Sequence, residues 1–259
     1  MTITRRKCVL TAFATLLVAA AIGGGSANAG TSGFDVTIGL SGGAIPRYEG
    51  SDRLTILALP EIDVTWRDTL FANTSQGAGF YAINHDRLQL GASLGYDFGR
   101  RERHDRQNLR GMGNIDDAAL GMVFAGYSWL GLDFSISVAR TLGGARGTVA
   151  EAGLAYPVLL GERLVFVPNL SASWADDKHM SSYFGVSQSQ ASRSGYARYT
   201  AAAGIKDVGV GFQAVYGLNN HWTLNLGIHA SYLLDEAAES PLVQERLQPS
   251  GGVGIVYRR

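Results

Sequence analysis

His229 and Ser231 stand two residues apart, a spacing that places both side chains on one face of a β-strand. A His beside a Ser is the beginning of a base–nucleophile pair. Catalysis also needs a group that orients the base and an oxyanion hole, and no stretch of this chain supplies either. The pair therefore reads as polar lining of an interior, and neither catalytic residues nor enzymatic activity are expected. Asp176-Asp177-Lys178-His179 and Asp116-Asp117 offer oxygen and nitrogen ligands. A hard cation needs several carboxylates at one point. No loop has the EF-hand spacing, and the two clusters meet only if their loops share one end of the molecule. No metal or cofactor is expected. Gly143-Gly144-Ala145-Arg146-Gly147 lacks the Gly-Lys-Ser/Thr ending of a phosphate loop and suits a tight turn. The charged run from Arg100 to Arg106 reads as a solvated loop, with contact to lipopolysaccharide phosphates as the alternative.

The elements that position these residues follow from a period of two. Phe34, Val36, Ile38 and Leu40 alternate with Asp35, Thr37, Gly39 and Ser41. Similar alternation fills Leu54–Trp66, Leu88–Phe98, Leu132–Val138, Leu164–Trp174 and Trp222–Tyr232. This pattern argues for strands rather than helices. Several segments approach the ~9–11 residues a tilted strand needs to cross a bilayer, more than the ~5–6 of an ordinary globular strand. Weaker segments lie near 69–83, 119–129, 147–158, 196–205, 208–217 and 251–257. The expected fold is all-β: a transmembrane antiparallel barrel of about twelve strands, an even number as such barrels have.

Composition agrees. Arg5-Arg6-Lys7, an apolar stretch from Val9 to Ile22, and Ala27 and Ala29 before Gly30 form a secretory signal peptide. The expected division is 1–29 signal peptide and 30–259 barrel. The only cysteine, Cys8, lies in the first part, which excludes disulfides and cysteine zinc sites in the second. The 22 basic and 22 acidic residues cancel over the whole chain. Losing Arg5, Arg6 and Lys7 leaves a net charge of about −3, with no electrostatic reason to expect nucleic acid. Beyond the leader no apolar run reaches the ~20 residues of a membrane helix. All four tryptophans, Trp66, Trp129, Trp174 and Trp222, fall at strand ends, as in the aromatic girdle of a membrane barrel.

Four connections are long, at 43–53, 99–118, 175–195 and 235–249. With both chain ends in the periplasm, the twelve segments above place 43–53 and 235–249 outside the cell and 99–118 and 175–195 in the periplasm. That departs from the usual short periplasmic turns, so either one strand is miscounted or the chain displays an unusual periplasmic surface. Tyr183-Phe184 is an apolar pair in a polar loop. It is either an exposed anchor for a partner or a plug in the barrel mouth.

An ordered set of loop sequences carries a family resemblance. It includes Tyr48-Glu49-Gly50-Ser51-Asp52, Gly95-Tyr96-Asp97-Phe98-Gly99-Arg100 and Gly111-Met112-Gly113-Asn114-Ile115-Asp116. Farther on come Met180-Ser181-Ser182-Tyr183-Phe184-Gly185-Val186, Gly204-Ile205-Lys206-Asp207-Val208-Gly209 and Glu239-Ser240-Pro241-Leu242-Val243. Each is weak alone, but in this order the set resembles the MipA/OmpV family of outer-membrane proteins, from about Gly33 onward. Met112, Asn114 and Ser182 depart from the family's pattern, and Tyr257 is followed by Arg258-Arg259 where such barrels usually end in an aromatic residue.

The resemblance implies a non-enzymatic, monomeric barrel in the Gram-negative outer membrane, in contact with lipid and lipopolysaccharide. For the MipA branch it implies a scaffold that holds a periplasmic lytic transglycosylase and a peptidoglycan synthase together. Asp116, Met180, Tyr183 and Phe184 are the candidate partner-docking residues. A narrow pore or solute channel, or a surface adhesin, is the alternative.

Overall fold

The computed structural model describes residues 33–259, so the predicted signal peptide lies outside the described residues. The strands are β1 (Phe34–Pro46), β2 (Leu54–Trp66), β3 (Leu70–Asn73), β4 (Gly77–Asn84), β5 (Leu88–Asp97), β6 (Ala118–Trp129) and β7 (Leu132–Thr141). β8 (Thr148–Ala155) resumes as Val158–Leu160 after a break at Tyr156-Pro157, and both pieces pair with the same neighbour. Then follow β9 (Leu164–Ala175), β10 (Gly204–Gly217), β11 (Trp222–Leu233) and β12 (Leu247–Arg258). Each strand pairs antiparallel with its sequence neighbours, and β1 pairs with β12 from Thr37↔Arg258 to Ala44↔Gly251. The result is a closed barrel of twelve antiparallel strands.

Alternation decides which side chain meets which medium. On β1, Phe34, Ile38 and Leu40 are exposed on the outside, while Ser41 is buried inside and donates to Glu61 Oε1 at 2.6 Å. The outer surface carries Leu94, Val123, Ile136, Leu170, Leu226 and Val253 in the same way. Water would not tolerate so continuous an apolar belt, but lipid matches it. Trp66, Trp129 and Trp222 lie near the end where the chain begins, alongside Phe34 and Tyr257. Trp174 lies at the opposite end with Tyr232. The four residues therefore form two belts rather than one, each at a level where an amphipathic ring meets head groups.

The strand total matches expectation, but two regions are divided differently. The segment 69–83 is a hairpin, β3 and β4, closed by Asn73, whose Oδ1 accepts from the Gln76 backbone N–H at 2.7 Å. The segments 196–205 and 208–217 are not two strands. Residues 196–203 lie outside any strand, and β10 runs unbroken from Gly204 to Gly217. One missed turn and one invented turn leave the count at twelve while reversing the parity between them. Consequently the placement of 99–118 and 175–195 opposite 43–53 and 235–249 is corrected: all four long connections share the end opposite the chain termini. Among the described residues, the terminal end has only short turns, at 67–69, 85–87, 130–131, 161–163 and 218–221. In the tightest of these, Leu130 and Gly131 both have positive φ (53° and 85°), the mirror-image turn that matches strand twist.

Candidate functional site: a polar lumen beneath a folded lid

The long connections fold onto one another at the barrel mouth. Residues 176–203 form α1 (Asp177–Tyr183) and α2 (Gln188–Ser194), and 234–246 contains α3 (Asp235–Ala238). Asp176 and Ser187 cap the first two helices by accepting from the backbones of His179 and Gln190. Met180 and Phe184 project from one turn of chain into a core with Ala175, Ala201, Leu233, Ala237 and Ala238. A second cluster joins Met112, Val186 and Leu242. Hydrogen bonds tie separate connections together: Ser240 Oγ to Phe184 O at 2.6 Å, Gln190 Nε2 to Met112 O at 2.6 Å, and Tyr48 OH to Leu242 O at 3.0 Å. The loops are thus a small packed lid with its own apolar core.

This packing locates the candidate docking residues. Met180 and Phe184 have no exposed surface and form the centre of the lid. Tyr183 is half-buried, stacked on His179 with ring centroids 4.5 Å apart. Asp116 is exposed and lies 3.6 Å from the Arg101 guanidinium. Phe184 thus packs inward within the lid, and Tyr183 lines the space beneath it. The charged run is also folded rather than merely solvated. Arg100 is buried and donates to Tyr183 O at 2.6 Å, and buried Asp105 accepts from Asn108 and lies 4.0 Å from Arg53. Burial pulls the Arg100 guanidinium below its ordinary pKa, though it keeps its charge.

Beneath the lid lies a cavity of about 510 Å³ lined by Glu151, Ser171, Ser173, Asp207, Gln213, His229 and Ser231 from the barrel wall. The lid adds Glu49, His179 and Tyr183. Lower on one side, Phe71, Tyr81, Met122 and Phe124 pack together inside the barrel and narrow it, with Phe71 and Tyr81 ring centroids 4.8 Å apart. An ionic cluster joins lid to wall. Lys206 Nζ lies 2.5 Å from Glu49 Oε1 and 3.2 Å from Asp207 Oδ2, and His179 Nε2 is 3.5 Å from Glu49 Oε2. Burial by itself would raise the Glu49 carboxyl, but Lys206 and His179 outweigh it and hold the group well below the usual carboxylate range. Burial, then the Asp97 and Glu49 carboxylates, push the Tyr183 phenol up.

Lys206 reaches this cluster because of a β-bulge. Opposite β9, Ser173 pairs with Asp207 and Trp174 with Ile205, so Lys206 is the extra residue. A bulge of this kind turns two successive side chains toward one face. Glu49, Lys206 and Asp207 were present in the quoted loop motifs but carried no assigned role. Glu151 was legible only as an inward position of a weak strand.

Chemically, the lumen offers hydrogen-bond donors and acceptors of both charges. His229 and Ser231 both line it, yet neither side chain makes a hydrogen bond to the other among the described residues. The acidic clusters do not converge. Asp117 pairs with Arg101, Asp176 caps α1, and Asp177 accepts from Ala203 N at 2.7 Å. Among the described residues no group of three or more His, Cys, Asp or Glu is arranged to hold a metal ion.

A closed twelve-stranded barrel with an apolar belt and a polar lumen defines an outer-membrane β-barrel protein. A family model described as MltA-interacting protein MipA matches residues 38–259, and the chain belongs to that family. A curated relative, the putative outer membrane protein YiaT of Escherichia coli (strain K12), is 27% identical over 122 residues, which is 47% of this chain and 49% of YiaT. The match thus spans about half the length of that relative. Among solved structures, the NanC porin aligns with a TM-score of 0.47 at 10% identity, covering 85% of this chain and 98% of the porin. The KdgM porin aligns with a TM-score of 0.44 at 5% identity, covering 85% and 98%. The protein resides in the outer membrane.

Proposed function

We propose that this barrel is a loop-gated conduit that admits small polar solutes to its lumen. The observation that carries this reading is the lid. Four connections pack over a polar cavity of about 510 Å³ and are fastened to the wall by the Glu49–Lys206–Asp207 cluster. Long loops of outer-membrane barrels face the exterior and short turns the periplasm, so the lid is on the outside. The test is single-channel recording in planar bilayers. Wild-type protein is expected to be mostly closed, and Lys206→Ala to open more often. Silence of both across voltage and salt would overturn the reading.

The family description supports a second reading, a scaffold for a lytic transglycosylase. In this orientation, only the short turns and the strand ends beside Phe34 and Arg258 face the periplasm among the described residues, and Met180, Tyr183 and Phe184 are not available there. Docking would then use residues such as Arg67, Asp68 and Glu162. Pull-down of a lytic transglycosylase by wild-type barrel, lost on charge reversal at those positions, tests it.

A further inference from the structure

The barrel wall has a gap. β2 pairs with β1 over its whole length, from Phe34↔Trp66 to Pro46↔Leu54. On its other side it pairs with β3 only from Asp63 to Trp66. Thr74 extends this a little, its Oγ1 donating to Pro60 O and accepting from Ile62 N, each at 3.0 Å. Backbone groups of alternate strand residues point the same way, so Ala58, Ile56 and Leu54 also turn theirs to this side. Among the described residues those groups have no partner there. Pro60, which has no N–H to offer, sits where the open edge begins, a position that suits proline.

Burial changes at the same point. From Leu59 to Ile62, burial alternates between inward and outward residues, but from Leu54 to Ala58 every residue is exposed, including inward-facing Leu57. The far side of the gap is the end of β5, beyond its last pairing with β4 at Leu94↔Ala78, where exposed Tyr96 and Phe98 stack edge to face. Arg53, 2.5 Å from Gln107 Oε1, closes the top. The opening from Leu54 to Pro60 is about 20 Å along the strand at ~3.3 Å per residue.

Its depth matters. The outward residues of β2, namely Leu54, Ile56, Ala58, Pro60, Ile62 and Val64, are all apolar. They continue the lipid-facing belt to the end of the strand. An open sheet edge at membrane depth is tolerated only where it lines a water-filled cavity or protein. Behind the edge, a row of paired inward positions runs from Leu57 to Gly43, Gly252, Gly227 and Gln213. Three successive strands thus present no side chain, and this track from Leu57 to Gln213 takes four steps of ~4.8 Å, about 19 Å in all. The track ends in the lumenal cavity, which Gly252, Gly227 and Gln213 line, and there Gln213 Oε1 is buried without a hydrogen-bond partner among the described residues.

We infer that the gap between β2 and β5 is a lateral portal through which a single-chain amphiphile with a hydroxyl-bearing head passes between the outer leaflet and the lumen. Leu57, Tyr96 and Phe98 at the rim suit an alkyl chain, the glycine track accommodates its width, and Gln213 Oε1 accepts from the head. This goes beyond the axial conduit and does not require the lid to open.

The test places a fluorophore on Leu57→Cys, with Ser135→Cys (lumen, opposite wall) and Ile38→Cys (lipid face) as references. The protein is reconstituted in vesicles of brominated-acyl phosphatidylcholine. The Leu57 probe is expected to lose emission both to the bromolipid and to aqueous iodide. The Ser135 probe should respond to iodide alone, and the Ile38 probe to bromolipid alone. A Leu57 probe that behaves like either reference overturns the portal. So does a Leu54→Cys protein that forms disulfide dimers in the membrane, since a second copy would then cover the edge. The readout involves no conductance, so a silent channel leaves it intact. As a second variant, Gly227→Val should slow quenching by brominated dodecyl maltoside of a probe on Ser171→Cys, which lines the same cavity and leaves Gln213 in place; unchanged quenching overturns the track.

Discussion

Lys206 and Asp207 are consecutive in the chain, and both point into the barrel, with Nζ 3.2 Å from Oδ2. In a regular strand they would face opposite media, and one charge would meet lipid. The bulge opposite Ser173 and Trp174 avoids that and gives the lid its anchor. Lys206→Met leaves Glu49 without its ammonium. A buried polar group left unsatisfied costs about 1–3 kcal/mol. Glu49 keeps 35% of its side chain exposed, so solvent screening places the cost toward the lower end. Amide exchange in 47–53 and 176–203 should quicken while the strands stay protected.

The same cluster predicts a pH dependence. The Glu49 carboxyl is held well below its ordinary 4.5, with burial opposing and Lys206 and His179 outweighing it. A depressed acid binds its proton less readily in the folded lid than in the open one. Its contribution is therefore complete above pH 4.5 and is lost as the pH falls below that toward the folded value. Acidification through this window should raise the protease sensitivity of the lid. Glu49→Gln should remove the pH dependence, and a wild-type lid indifferent to pH 3 would contradict the assignment.

Phe184 fills the lid core and is fully buried with Met180. Phe184→Ala should cost about 3–5 kcal/mol of local stability through the cavity it leaves. Because the barrel has separate ladders and belts, heat-modifiable mobility on gels should be retained. Open-channel events in bilayers should become more frequent.

Arg258 would be awkward in lipid, but it faces inward and pairs with Asp35, its guanidinium donating to both carboxylate oxygens. Both groups are more than a third exposed, so Arg258→Ala should change stability by less than ~1 kcal/mol. Tyr257 faces outward between Trp222 and His221, with centroids 5.2 and 5.5 Å away. Tyr257→Ala should cost more, about 3–5 kcal/mol at the high end for a fully buried ring and less here at the interface. Urea-dependent folding into vesicles compares the two.

Much of this protein follows from residue order alone. Alternation of apolar and polar residues separates lipid face from lumen, as Ser41 between Leu40 and Gly42 illustrates, because side chains alternate along a strand whatever the rest does. The belt aromatics, the polar placement of His229 and Ser231, and the family motifs were legible for the same local reason. The sides of the loops were not, because parity is a global property that one error reverses. Asn73-Thr74-Ser75-Gln76 is a turn hidden inside an alternating segment, whereas Lys206-Asp207 has the polarity of a turn but is a bulge. Tyr183-Phe184 was ambiguous between anchor and plug because the partners that bury Phe184, Leu233 and Ala237 among them, lie about fifty residues away and meet it only when β9 to β11 close side by side. The meeting of Glu49 with Lys206 likewise exists only once the ends of the sheet join, whereas the open edge of β2 comes from the shortness of the β3–β4 hairpin beside it. Local periodicity sets the medium each side chain faces; barrel closure sets which distant residues share it.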